Sequence, residues 1–219
     1  MSKVNIKMIK TNEASTNKLV LWTGGLDSTL TLINILQNST PGSVRTIAFD
    51  IDQISNRQQK MEKKARKKLK KRMLKIYDIC DWDHQELTID LHNQLHGQGC
   101  QPSLWISLAS MMSKMDEDVY ISWLKDDYDS ELIHSAKQIW KHLAIINGKK
   151  VDGLKLPLIF NTKADVINDM RESTLSHLCW YCEGTEGKKG RPCGKCNCCI
   201  NNKASTYKAK LLRKHNKDN

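Results

Sequence analysis

The run Lys18-Leu19-Val20-Leu21-Trp22, followed by Thr23-Gly24-Gly25-Leu26-Asp27-Ser28-Thr29, constrains this chain more than any other feature in it. A short apolar run that ends in paired glycines reads as a buried strand feeding a tight turn. Residues 28–37 then place apolar side chains at helical spacing, with Asp27 or Ser28 as the expected N-cap. Strand, glycine turn and helix in that order gather free backbone N–H groups and the positive end of a helix dipole at one point, which makes an anion site. Gly24 and Gly25 leave room for a ligand, and Ser28 and Thr29 add hydroxyl donors. Asp27 can hold a magnesium ion against phosphates or cap the helix. The turn is neither the GxxxxGK[ST] loop nor the GxGxxG fingerprint. Its plain alternative is an ordinary strand–helix turn with a capping aspartate.

The rest of the chain repeats that alternation. Strands are expected at Val44–Ile51, His84–Leu91 and Val119–Leu124. Helices are expected at 57–76, Leu104–Met115, 129–146 and Thr162–Arg171, the last with Thr162 and Asp165 in capping-box positions. Met61, Ala65, Leu69, Met73 and Ile76 give the helix at 57–76 one narrow apolar stripe. Alternating strands and helices predict an α/β fold, a doubly wound parallel sheet. The expected division is a flexible segment at 1–17, an α/β domain at 18–172, and a cysteine-rich and basic segment at 173–219. No apolar run approaches the ~18–20 residues of a spanning helix, and the N-terminus has no secretory core, so a cytoplasmic protein is expected.

Charge and cysteine are both concentrated. The formal charge of +11 comes from two segments, since residues 60–75 carry ten Lys/Arg and one Glu, and residues 185–219 carry ten Lys/Arg and two acids. The remainder is mildly acidic, so electrostatic partners belong to local surfaces rather than to the whole protein. Nucleic acid is conceivable at the 60–75 helix, though a solvated face is favoured there. Six of the eight cysteines, Cys179, Cys182, Cys193, Cys196, Cys198 and Cys199, fall within 21 residues. Clustered thiols in a reducing compartment read first as a metal site, with a redox dithiol or an iron–sulfur cluster as alternatives. Cys182, Cys193, Cys196 and Cys199 supply the four sulfurs of a structural zinc site, and Cys179 could exchange with Cys182. Cys198, between ligands, is expected to point away. His92 and His96 at i, i+4 are not read as ligands, and Trp22 and Trp123 are expected to pack rather than stack on a base.

The turn resembles the SGGxDS loop of the N-type ATP pyrophosphatases, or PP-loop proteins, with Thr23 in place of the first serine. Together the turn and the cysteine motif resemble the 7-cyano-7-deazaguanine synthase (QueC) family, whose CGKCxxC zinc motif matches Cys193 to Cys199. The family's WSC resembles Trp180-Tyr181-Cys182, which favours Cys182 as the first ligand. Its FDYGQ resembles Phe49-Asp50-Ile51-Asp52-Gln53, and its APLIxLTKxEIV resembles Leu156 to Val166. The likeness spans roughly residues 18–205. Two segments depart from it. The family's VPGRN stands as GQGCQP at residues 97–102, and its aspartate-cysteine-arginine element is missing around Asp126 to Ser130. The nucleotide and zinc motifs are thus kept better than those that shape the substrate pocket.

The resemblance implies an adenine nucleotide alpha hydrolase-like fold with a small zinc-binding subdomain. It implies ATP, Mg2+ and structural Zn2+ as cofactors, and an ATP-dependent carbon–nitrogen ligase acting on 7-carboxy-7-deazaguanine with ammonia. Adenylation of the carboxylate, amide formation and dehydration to the nitrile would follow in turn. Thr23, Gly24, Gly25, Leu26, Asp27, Ser28, Thr29 and Asp50 would bind the nucleotide. Asp27, Ser28 and Lys163 would carry the chemistry. A homodimer is implied and a membrane is not. The divergent segments also admit an enzyme that stops at the amide, uses a modified substrate, or joins a deazaguanine to another molecule in phage or defence biology. A tRNA-modifying PP-loop enzyme such as a thiolase is the competing class, and a binding module without turnover is the non-enzymatic one.

Overall fold

The computed structural model describes residues 17–40, 42–51, 56–76, 81–89, 101–127, 130–171, 173–184 and 190–215. The segment expected to be flexible lies outside them except for Asn17, as do His92, His96, Cys80 and Cys100. Five strands, β1 (Lys18–Leu21), β2 (Val44–Ile51), β3 (Asp83–Ile89), β4 (Asp118–Tyr120) and β5 (Leu154–Lys155), form one sheet in the order β3-β2-β1-β4-β5. Every pairing is parallel. The helices are α1 (Leu26–Gln37), α2 (Asn56–Ile76), α3 (Gln101–Met112), α4 (Ser130–Ile146), α5 (Lys163–Arg171) and α6 (Asn197–His215), with a 3-10 turn at Ser176–Leu178.

Side chains alternate across a strand, so β1 feeds two cores. Val20 and Trp22 join Leu30 and Ile33 of α1, Leu69 and Met73 of α2, and Val166 and Met170 of α5. Leu19 and Leu21 join Ile106 of α3 and Ala136, Trp140 and Ala144 of α4 on the opposite face. Burial on both faces is why β1 reads as a continuous apolar run rather than an alternating one. The sheet is the doubly wound one expected. After β3 the chain crosses to the far side of β1, so the direction of winding reverses between β1 and β4. Open α/β sheets bind ligands at the carboxyl ends of the strands beside such a reversal.

Several boundaries differ from expectation for identifiable reasons. The N-cap of α1 is Gly25, in extended conformation and without a side-chain cap, so the helix starts at Leu26 rather than after Asp27 or Ser28. Helix α3 begins three residues earlier than expected, at Gln101-Pro102, since proline is well suited to a first helical turn. Strand β4 stops at Tyr120. Ile121, Trp123 and Leu124 stay buried, and Ile121 N–H still donates to the Lys155 carbonyl at 3.0 Å, but β1 ends at Leu21 and β5 at Lys155, so nothing extends the pairing further.

Strand β5 and helix α6 were not expected. Two residues are too few for a period-2 pattern. The side of α6 that packs against α5 carries Cys199, Asn202, Thr206, Ala209 and Arg213, and small and polar side chains give no hydropathy signal. Arg213 donates to the Asn168 side chain at 2.7 Å. The capping box of α5 is present, with Thr162 N–H on Asp165 at 2.8 Å and Asp165 N–H on the Thr162 hydroxyl at 3.3 Å.

Candidate functional site

The glycine turn lies at the carboxyl end of β1, beside the winding reversal. The first helix bond of α1 runs from Thr29 N–H to Gly25 O at 3.1 Å. The amides of Leu26, Asp27 and Ser28 therefore have no partner within the helix and face its N-terminal end. Gly24 adopts φ +87, and a Cβ there would lie 3.0 Å from Arg66 Cγ and 3.2 Å from the Glu62 carbonyl. Only glycine fits both the backbone and the space. Thr23 steadies the turn, since its hydroxyl accepts from Gly25 N–H at 3.2 Å and lies 3.1 Å from Ser28 Oγ.

Not every hydroxyl in the motif faces outward. Thr29 is fully buried, and its Oγ1 accepts from the Trp22 indole at 3.1 Å. Trp22 packs edge-on against Trp82 and His84, and Trp123 lies in the opposite core, so both pack as expected.

Asp27, on the first turn of α1, meets Lys163, the first residue of α5, at 2.6 and 2.9 Å through both carboxylate oxygens. The Lys163 amide is fixed by Asp126 at 3.0 Å. Burial, reinforced by the neighbouring Asp27 charge, raises the Asp127 carboxyl above its ordinary value. The loop entrance thus combines backbone donors, one ammonium and several carboxylates, the set that Mg2+ and a polyphosphate require.

On the other side of the loop, Arg66 of α2 is 2% exposed. It donates to the Thr23 carbonyl at 3.1 Å and to Glu86 at 3.0 and 3.1 Å. Asp50, at the end of β2, lies 3.5 Å from the same guanidinium. Arg66 therefore fixes the turn, β2 and β3 to one helix. Its role was hidden in the charge run. The available signal was its place beside Ala65 on the inward face, four residues after the lone acid Glu62.

The four sulfurs of Cys182, Cys193, Cys196 and Cys199 all lie within 4.8 Å of one another. Tetrahedral zinc–thiolate bonds of ~2.3 Å put sulfurs about 3.8 Å apart, and Cys193 and Cys199 are 3.9 Å apart. The amides of Lys195 and Cys196 donate to Cys193 Sγ at 3.4 and 3.3 Å, and these bonds push that thiol down to about 6. Burial pushes the Cys199 thiol up to about 12, so its proton leaves only against a cation held by its neighbours. A Cβ on Gly184 would lie 2.6 Å from Cys193 Sγ, so the cradle closes only around glycine. The donor set fits a zinc ion. Cys198 stands outside the set, and so does Cys179, whose thiol is directed at the Leu175 carbonyl.

Two contacts join this centre to the turn. Trp180 N–H donates to the Gly24 carbonyl at 3.0 Å. Arg57, near the start of α2, lies 3.8 Å from Cys182 Sγ, donates to the carbonyls of Gly184 and Arg191, and covers the Trp180 ring at 5.5 Å. Arg57 was not singled out in the sequence, because nothing local links it to a cysteine so far along the chain.

An anion loop at the winding reversal of a parallel sheet, braced by a four-sulfur centre, defines a nucleotide-binding α/β protein of the PP-loop class. Residues 17–210 match the family described as queuosine biosynthesis protein QueC, while no curated protein matches the chain. The chain belongs to the QueC family. That family is ATP-dependent and serves 7-cyano-7-deazaguanine synthesis. Among the described residues, no helix is long and apolar enough to cross a membrane.

Proposed function

We propose that the chain is an ATP-dependent carbon–nitrogen ligase of the 7-cyano-7-deazaguanine synthase type. A carboxylate resists ammonia because its leaving group would be oxide, and activation supplies a better one. The carboxylate oxygen of 7-carboxy-7-deazaguanine attacks the α-phosphorus of ATP, and the bond to pyrophosphate breaks. Ammonia then attacks the acyl carbon, AMP leaves, and the surplus proton passes to water. In a second round the amide oxygen takes AMP in the same way. Loss of that AMP and two N–H protons gives the nitrile.

The turn at Thr23 to Ser28 supports this reading by offering donors where pyrophosphate charge develops. Asp27 is the candidate ligand for Mg2+ and Lys163 the candidate phosphate cation. The two neutralise each other here, so charged, metal-bound polyphosphate can replace each partner with its own counter-ion. The observation that carries the reading is this Asp27–Lys163 pair at the entrance of the loop. Zn2+ on the four thiolates is structural, since four protein ligands leave no open position. A homodimer is supported by Ile200, Tyr207 and Leu211, which leave one side of α6 apolar and exposed.

The test is incubation with ATP, ammonium and 7-carboxy-7-deazaguanine, followed by mass spectrometry. Amide or nitrile together with AMP is expected, and Asp27→Ala should lower turnover at least ~100-fold. Wild-type protein yielding neither product, or an Asp27→Ala variant of full activity, would overturn the reading.

A further inference from the structure

Among the described residues, helix α2 satisfies part of its charge. Lys63 pairs with Glu86, Lys70 with Asp81, and Arg66 with Glu86 and Asp50. The other seven cations, Lys60, Lys64, Lys67, Lys68, Lys71, Arg72 and Lys75, are exposed. They recur at i, i+4, i+7, i+8, i+11, i+12 and i+15, a single stripe on the face turned away from the apolar one. From Lys60 to Lys75 the stripe runs about 22 Å. An ordinary solvated face intersperses glutamates with its lysines. The only acid between residues 60 and 75 is Glu62, and it faces inward with Arg66. Neighbouring cations four residues apart repel one another, so the bare helix carries a standing electrostatic cost that a polyanion removes.

The composition of the stripe narrows the polyanion. It has no apolar residue to form the dry centre of a protein interface. It has no aromatic residue on which unpaired bases could stack. The apolar side of α2 is buried in the body and cannot enter a lipid surface. What remains is a rod of point charges, which suits the regular phosphates of a duplex. The ~12 Å major groove of B-form DNA admits a helix of this width, whereas the A-form groove is too narrow.

We propose that the outward face of α2 is a sequence-independent docking surface for the backbone phosphates of duplex DNA. The test uses the full-length, zinc-loaded protein and fluorescence anisotropy with a labelled DNA duplex of mixed sequence. An RNA duplex and polyglutamate serve as competitors. Between about 50 and 200 mM salt, log K should fall against log salt with a slope near −5. The fourfold variant Lys64→Glu, Lys67→Glu, Lys68→Glu, Lys71→Glu should lose the binding, and the corresponding Lys→Gln variant should cut the slope by about 3.5. Circular dichroism checks that both remain folded. A wild-type slope shallower than about −2, an unchanged slope in the Gln variant, or better competition by RNA or polyglutamate would overturn the proposal. The surface stands apart from the ligase reading. Turnover should survive in the Gln variant, and absent turnover with intact DNA binding would count against the ligase alone.

Discussion

At the scale of the residue, Gly24 and Glu62 show how closely α2 presses on the anion loop. Gly24→Ala must place a Cβ against Arg66 and the Glu62 carbonyl while holding φ +87. A loss of about 1–3 kcal/mol is expected, read as a lower denaturant midpoint. Gly25 has φ −76, so alanine there should cost less folding stability. Burial lifts the Glu62 carboxyl from 4.5 to about 7, against the lowering effects of its hydrogen bond from Gln58 and of Arg66. Between those pH values the folded protein keeps a proton that the unfolded chain has released. Stability is therefore fully present below 4.5 and falls as pH rises towards 7, by at most about 1.4 kcal/mol per unit. Denaturation midpoints across that window should slope downwards in the wild type and run flatter in Glu62→Gln. Equal slopes would mean that Glu62 ionises in the fold as it does in water.

At the scale of the element, α2 is a brace with one arginine at each station. Arg66 holds the Thr23 carbonyl, and Arg57, nine residues earlier, holds the cysteine centre. Arg57→Ala removes a charge near Cys182 and two carbonyl partners. Zinc retention against a chelator should weaken by about tenfold or more, as for other outer partners of metal ligands. Unchanged retention would reduce Arg57 to a surface clamp.

Legibility in the sequence followed the same division. Elements bearing their own periodic apolar pattern, such as α1, β2 and the inward stripe of α2, could be read directly. So could the four-sulfur set, because cysteine spacing is chemically specific. Helix α6 could not, because Cys199, Asn202, Thr206 and Ala209 pack through smallness rather than hydropathy. Arg57 and Arg66 could not, because a lysine-rich run conceals which cations turn inward. The N-cap at Gly25 was missed because the Asp27 carboxylate is drawn to Lys163 on a distant helix, a tertiary choice overriding a local preference.

At the scale of the whole molecule, the cysteine centre is part of the main core. Cys182, Cys199 and Trp180 belong to the same buried cluster as β1 and α1. The zinc-loaded protein should therefore unfold in one step, with tryptophan fluorescence and far-ultraviolet dichroism giving one midpoint. Two separated midpoints would show a centre that melts on its own. Chelation should loosen α6 first, because its N-terminal turn carries Cys199 and the preceding residue is Cys196.

The bond from Trp180 to the Gly24 carbonyl also sets an order of events in time. During synthesis the anion loop leaves the ribosome before its partner Trp180, with strands β2 to β5 and helices α1 to α5 made in between. The loop spends that interval without the strap that closes it, so the turn can be completed only after Trp180 has been made.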